Sequence, residues 1–426
     1  VTRAILEAEL TWTGERFEPG KQLVVEDDRI VSIGAAGEGA THKLPRRALM
    51  PGMVSAHSHA FQRALRGRGE TFPAGSGTFW SWREAMYGLV AQLDEMRFYD
   101  AVRATYEEMR AAGITAVGEF HYLHHSPAGN DFAFDEIVLR AARDAGIRIV
   151  LLMTYYKTGG IHQPLADAQQ RFATPSLDAF WKQIDALEAK LDPRTQSLGV
   201  AAHSIRGVPL EDLAPLYVEA RRRGMPFHMH VEEQRRELEE CRAAYGATPL
   251  ELINRELPSC EGFTAVHATH SDRTEMQRFL ARGGSVCITP LTEANLGDGI
   301  PDVTPLLPLP DRLSLGTDSN ARISLIEEMR WLEYTQRLKS ETRGAYRDEA
   351  GRNARLLLQF ATVAGRRSLG IPQNTADFVT IDLDARAIAG VDDEHLLEAI
   401  VFGAGDAVIA ETCVDSVWRH SRLRRT

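Results

Sequence analysis

The stretch Met50–Arg63, MPGMVSAHSHAFQR, decides the reading of this chain. A short apolar run ends in His57-Ser58-His59. Residues i and i+2 of a strand point to one side, so both imidazoles can reach a single metal ion from one strand end. Gln62 and Arg63 follow in what reads as a loop overhanging the same point. A lone His-x-His equally suits surface or half-buried polar residues, so further ligands must come from elsewhere in the chain.

Outward from this stretch, strand and helix patterns alternate, the mark of parallel βα units. Eight candidate strands cover 48–57, 115–122, 148–155, 198–204, 226–231, 264–268, 285–289 and 313–317. Helical patterns are clearest over 93–112, 135–145 and 210–223, ending at Gly113, Gly146 and Gly224 as a helix C-terminus should. Eight such units over roughly 270 residues predict an α/β fold of the (β/α)8, TIM-like kind. The competing open, doubly wound sheet usually carries a glycine-rich phosphate loop after its first strand; here that place holds His-Ser-His.

The chain ends differ from the middle. Residues 22–33 read as a hairpin turning at Asp27-Asp28, and 377–381, 399–402 and 407–418 read as further strands. Two β-rich ends are expected to pair as one small β-sandwich domain, 1–48 with 371–426, beside a catalytic barrel over 49–370. A length of 426 residues suits that division.

Bulk composition removes some classes of function. A net charge of −10 disfavours nucleic acid as a partner. No run approaches the ~18 apolar residues of a membrane span. No signal-peptide pattern is read at the start. The four cysteines have no CxxC spacing and read as reduced thiols, so a cytoplasmic location is expected.

In a barrel of this kind the active site lies at the C-terminal strand ends. Strand one supplies His57 and His59; strand two Glu119, His121 and Tyr122; strand four His203, with Arg206 just beyond; strand five His228, His230, Glu232 and Glu233; strand six His267; strand eight Asp318. Histidine is only 14 of 426 residues, so this concentration at strand ends is not expected by chance. His57, His59, His230 and Asp318 are read as metal ligands. His228, deeper in strand five, is read as a packed interior histidine, and His270 as structural. Glu233 follows His230 by three residues and can bend back over the metal as general acid/base, with Glu232 as a solvated neighbour. His267 can hydrogen-bond the attacking water or a developing oxyanion. Asp318 has a plain alternative as a helix N-cap; facing three imidazoles it would also accept a proton from water. Three imidazoles and a carboxylate suit zinc, with iron or manganese as alternatives, and such an ion lowers the pKa of bound water to about 7. Strand four offers no lysine to bridge a second ion, which favours one metal.

PGMVSAHSH (51–59), HMHVEE (228–233), VHATH (266–270) and LGTDS (315–319) together resemble the amidohydrolase superfamily in its mononuclear deaminase branch. HSHAFQRALRG (57–67), FWSWREAMY (79–87, read as a long loop), GEFHYLHH (118–125), AAHSIRG (201–207) and LTEANLGDG (291–299) are similar to its formimidoylglutamate deiminases of histidine degradation. That resemblance implies hydrolysis of N-formimino-L-glutamate to N-formyl-L-glutamate and ammonia. It also implies substrate binding by Gln62, Arg83, Tyr122, His203 and Arg206, and a homodimer. A dicarboxylate substrate fits two arginines near the barrel mouth, because guanidinium holds carboxylate through paired planar bonds. The alternatives are a deaminase of guanine, an adenosine derivative or a triazine, and, from another class, a non-catalytic barrel scaffold.

Overall fold

The computed structural model describes residues 2–37, 39–72 and 75–420. Eight parallel strands are hydrogen-bonded in sequence order: Met53–Ser58, Ile114–His121, Arg148–Tyr155, Gln196–Ala202, Phe227–Val231, Phe263–His267, Ser285–Ile288 and Leu313–Leu315. Nearly every residue of these strands is buried, as expected where helices cover the outer face and side chains fill the interior. The expected helices are present as Glu95–Ala111, Ala133–Ala145 and Leu210–Arg222. Gly146 ends the second of them in the left-handed conformation, φ 70°, where a side chain would be strained.

The chain ends build a second sheet of eight strands. Arg3–Trp12 runs parallel to His42–Pro51 and also pairs with the short strand Phe17–Glu18; the hairpin Lys21–Glu26 and Arg29–Ala35 lies on one side, and Phe378–Asp382, Ile409–Val414 and Val417–His420 on the other. The hairpin turns at Asp27-Asp28 as read from sequence. This sheet has its own small core of Leu6, Leu23, Val25, Leu44, Leu49 and Phe378 with neighbours.

Two expectations change. The apolar run 48–57 is not one strand: residues up to Pro51 belong to the second sheet, and the barrel strand starts at Met53. Gly52 makes the switch, because a Cβ there would lie 2.1 Å from Thr115 Oγ1. Residues 399–402 are helical, inside Leu396–Gly403; a short apolar run does not distinguish strand from buried helix by pattern. All four cysteines are buried and unpaired. Among the described residues no helix is long and apolar enough to cross a membrane.

A buried ion pair ties the two sheets together. Arg148 of the third barrel strand donates from Nε to Asp377 Oδ2 at 2.7 Å and from Nη2 to Oδ1 at 3.1 Å. Within the barrel wall, His121 Nε2 and His124 Nδ1 lie 2.9 and 2.8 Å from Asp135 Oδ1, Gln183 donates to Oδ2 at 2.9 Å, and His124 Nε2 meets the Thr154 carbonyl at 2.8 Å. Every oxygen of Asp135 and both nitrogens of His124 are thus occupied, which makes this cluster a structural brace. Burial alone would raise Asp135, but the two imidazoles outweigh it and hold the carboxyl down at about 2.

Replacing Asp377 by Ala strands the buried Arg148 cation and should cost about 3–5 kcal/mol in urea unfolding. The Asp135 brace has a defined pH window. Its folded pKa lies below the unfolded value, so its stabilisation is complete above about pH 4 and is lost as pH falls towards about 2. The stability gap between wild type and Asp135→Asn should therefore shrink by about 2 kcal/mol between pH 5 and pH 2; a constant gap would show that Asp135 is not held down by its histidines.

Candidate active site

Strand eight meets strand one at the barrel seam, and this junction builds the site. The His57 carbonyl accepts from Thr317 N at 3.0 Å and from Asp318 N at 3.1 Å, and His59 N donates to the Asp318 carbonyl at 2.8 Å. Gly316 permits the approach, since a Cβ there would sit 2.8 Å from the His57 carbonyl oxygen. The side chains then converge: His57 Nε2 and His59 Nε2 lie 3.3 and 3.5 Å from Asp318 Oδ1. His230, from strand five, places Nε2 3.2 Å from His59 Nε2 and 3.3 Å from His57 Nε2.

Ring orientation is set from behind. His59 donates from Nδ1 to the Phe120 carbonyl at 2.8 Å, and His230 from Nδ1 to the His203 carbonyl at 2.9 Å. A neutral imidazole carries one N–H, so both Nε2 atoms present bare lone pairs to one another. Burial keeps these rings neutral: it lowers His57 against the pull of Asp318, brings His59 down to about 3, and takes His230 well below its ordinary value. Asp318 goes the other way. Burial would raise it, but the imidazoles of His57, His267 and His59 hold it well below the usual carboxylate range. Lone pairs at 3.2 Å with no proton between them repel unless a cation lies among them. Donors about 2.0–2.1 Å from a tetrahedral zinc ion stand about 3.3 Å apart. The donor set and its spacing therefore fit a divalent metal held by His57, His59, His230 and Asp318.

His267 closes strand six beside them. Its Nε2 lies 3.7 Å from Asp318 Oδ2 and 3.9 Å from Glu233 Oε1, and its Nδ1 3.4 Å from Glu293 Oε1. Burial would lower this imidazole, but Glu233, Glu293 and Asp318 hold it up at about 10. Glu233 is buried, and burial raises its carboxyl against the opposing pull of His267, the condition of a general acid.

The substrate-binding expectations fall on one cavity, lined by Gln62, Arg83, Tyr122, His203 and Arg206 together with His59, His230, Glu233, His267 and Asp318. Gln62 sits in a short 3-10 helix, Ala60–Leu65, and donates to Tyr122 Oη at 2.8 Å. Arg83 lies on a helix, Phe79–Val90, where a loop was expected; Thr78 and Ser81 cap its start reciprocally. His228 is an interior histidine, its Nε2 3.0 Å from the Ser368 carbonyl. His270 lies in the turn before helix Arg273–Ala281, with Asp272 as cap. Glu232 corrects the sequence reading: it is buried, and its Oε1 accepts from Leu250 N at 2.9 Å. Glu119 is also buried behind the site, accepting from Ala60 N at 2.7 Å, and burial pushes it up to about 8.

Two features had no counterpart in the sequence reading. Glu293 supports His267 from the helix Pro290–Leu296; a proline opening a helix with Glu in its first turn was the available signal. An aromatic wall of Phe79, Trp82, Tyr87, Tyr156 and Phe172 completes the cavity. Tyr156 follows strand three, an end without histidine or aspartate.

Comparison with known proteins agrees with this geometry. Residues 48–419 match the model of the Amidohydrolase family. Formimidoylglutamate deiminase of Pseudomonas aeruginosa is 36% identical over 87% of this chain and 84% of its own length. A 5-methylthioadenosine/S-adenosylhomocysteine deaminase of Shouchella clausii is 27% identical over 75% of this chain and 69% of its own length. The crystal structure of an amidohydrolase from Brucella melitensis superposes with a TM-score of 0.89 at 28% identity, covering 99% of this chain and 96% of that one. The chain therefore belongs to the amidohydrolase family, hydrolases acting on C–N bonds.

Proposed function

We propose that this protein hydrolyses N-formimino-L-glutamate to N-formyl-L-glutamate and ammonia, a step of histidine breakdown, with one zinc ion at His57, His59, His230 and Asp318. The supporting observation is that one cavity combines two kinds of group: Glu233, His267 and Asp318, and the cations of Arg83 and Arg206, which reach it from separate segments. Among the described residues Arg83 Nε and Arg206 Nε are buried without a hydrogen-bond partner. Two cations at one cavity match a ligand that carries carboxylates as well as a hydrolysable amidine. A neutral purine or triazine offers these cations no carboxylate. The identity to the Pseudomonas deiminase supports the same reading.

When bound, the ion supplies a water activated at neutral pH and positive charge for the developing oxygen. The protein groups then divide the work. Arg83 and Arg206 hold the carboxylates, and the Gln62–Tyr122 pair and His203 line the substrate's approach. Asp318, in contact with His267, takes a proton from the attacking water. The water oxygen adds to the formimino carbon, the C=N electron pair moves onto nitrogen, and Glu233 delivers its proton there. The proton on Asp318 then passes to the same nitrogen. The new hydroxyl returns its proton to Glu233, the C–N bond breaks, and ammonia departs as the formyl C=O forms. His267 steadies the oxygen during both stages.

Ammonia release from N-formimino-L-glutamate, with guanine, methylthioadenosine and a triazine as comparators, tests the reading directly. Release from a comparator alone would remove it. Metal analysis should find one ion per chain. Glu233→Gln should retain that ion and lose at least ~100-fold in kcat; undiminished turnover would take Glu233 out of the reaction. Arg83→Ala should raise KM by roughly tenfold or more with a smaller change in kcat, and an unaltered KM would exclude it as an anchor.

A further inference from the structure

Glu237 is a buried acid that the chemistry above does not use. It lies in the first turn of helix Arg235–Tyr245, and its side chain is 0% exposed. Neither carboxylate oxygen has a hydrogen-bond partner among the described residues. Its neighbouring cation is Arg206, whose Nε is 3.7 Å from Glu237 Oε1 and likewise makes no hydrogen bond. Glu237 does not line the cavity, whereas Arg206 does, so the acid stands behind the guanidinium. Beyond it, the Arg206 guanidinium carbon lies 5.7 Å from the Trp80 ring centre and 5.9 Å from that of Phe79.

Burial raises the Glu237 carboxyl to about 7 while the Arg206 cation pulls it down, so its ionised form depends on that neighbour. At 3.7 Å the attraction between Glu237 and Arg206 is Coulombic, so no N–H of the guanidinium is consumed by it. A closer, bidentate pair would neutralise Arg206 and fill its donors; the wider one restrains the cation and leaves the donors free. We propose that Glu237 is a positioning residue that aims Arg206 into the cavity and so sets the affinity for a carboxylate of the substrate. This rests on the reading above only in taking Arg206 as a carboxylate anchor.

Binding of glutarate, a plain dicarboxylate, measured by calorimetry on the metal-loaded protein, separates the two ideas. Glu237→Gln keeps the shape and removes the charge. It should weaken glutarate binding about tenfold and raise KM for N-formimino-L-glutamate by the same factor, with kcat within about twofold. Glu237→Asp should recover part of the loss. In an Arg206→Ala background, Glu237→Gln should add nothing, because the group it positions is gone. Unchanged glutarate affinity in Glu237→Gln, a loss that adds fully to that of Arg206→Ala, or a wild-type protein that binds no glutarate would each overturn the proposal. Thermal unfolding of each variant identifies any that lose the fold, and Glu237→Asp then carries the comparison. A wild-type protein that binds glutarate yet releases no ammonia from N-formimino-L-glutamate sinks the function reading alone, and the glutarate cycle still decides Glu237.

Discussion

Closure of the barrel between its first and last strands is the constraint on which the site depends. Two amides, of Thr317 and Asp318, share the His57 carbonyl, and His59 N returns a bond to the Asp318 carbonyl. These backbone bonds fix the spacing of His57, His59 and Asp318 before any side chain is considered. The remaining imidazole of the cluster, His230, is oriented through the His203 carbonyl, three residues before Arg206. The histidine–aspartate cluster and Arg206 are therefore joined through the end of strand four.

Burial gives that geometry its chemistry. The same desolvation acts on every titratable group at the strand ends, but with opposite results. His230, with no carboxylate against it, and His59, where burial outweighs the pull of Asp318, become neutral donors. His267, ringed by three acids, keeps its proton. Asp318 stays ionised among imidazoles while Glu233 is raised towards the protonated form. Two carboxyls in one cavity thus take opposite protonation preferences from their neighbours, the arrangement acid–base chemistry needs.

Much of this was legible in the chain. The period of two along a strand places His57 and His59 on one side, and the rule that barrel sites gather at C-terminal strand ends brings His230, His267 and Asp318 to them. Errors arose where one local pattern serves two structures. The run 48–57 is mostly apolar although it spans two sheets; the break falls at Pro51-Gly52, itself a loop signal. Residues 399–402 are apolar in a buried helix. Glu232, Glu293 and Glu237 lie in or just before helices after barrel strands, where an acid ordinarily faces water. Their burial comes from elements distant in sequence, such as Leu250 N on Glu232 and His267 on Glu293, and no local pattern carries that information.

The backbone at these same points is strained. Glu232, His267 and Asp318 all have positive φ, 54°, 71° and 44°, a conformation that costs a side-chain-bearing residue of order 1 kcal/mol or more. Glycine would relieve it at each position but would delete the working group. The strain survives because each turn is held from outside: Glu232 by Leu250 N, His267 by Thr289 and Glu293, and Asp318 by the seam with strand one. The acids and hydroxyls around the cavity therefore serve twice, tuning charge and keeping three unfavourable turns in the one shape that points their side chains at a common centre.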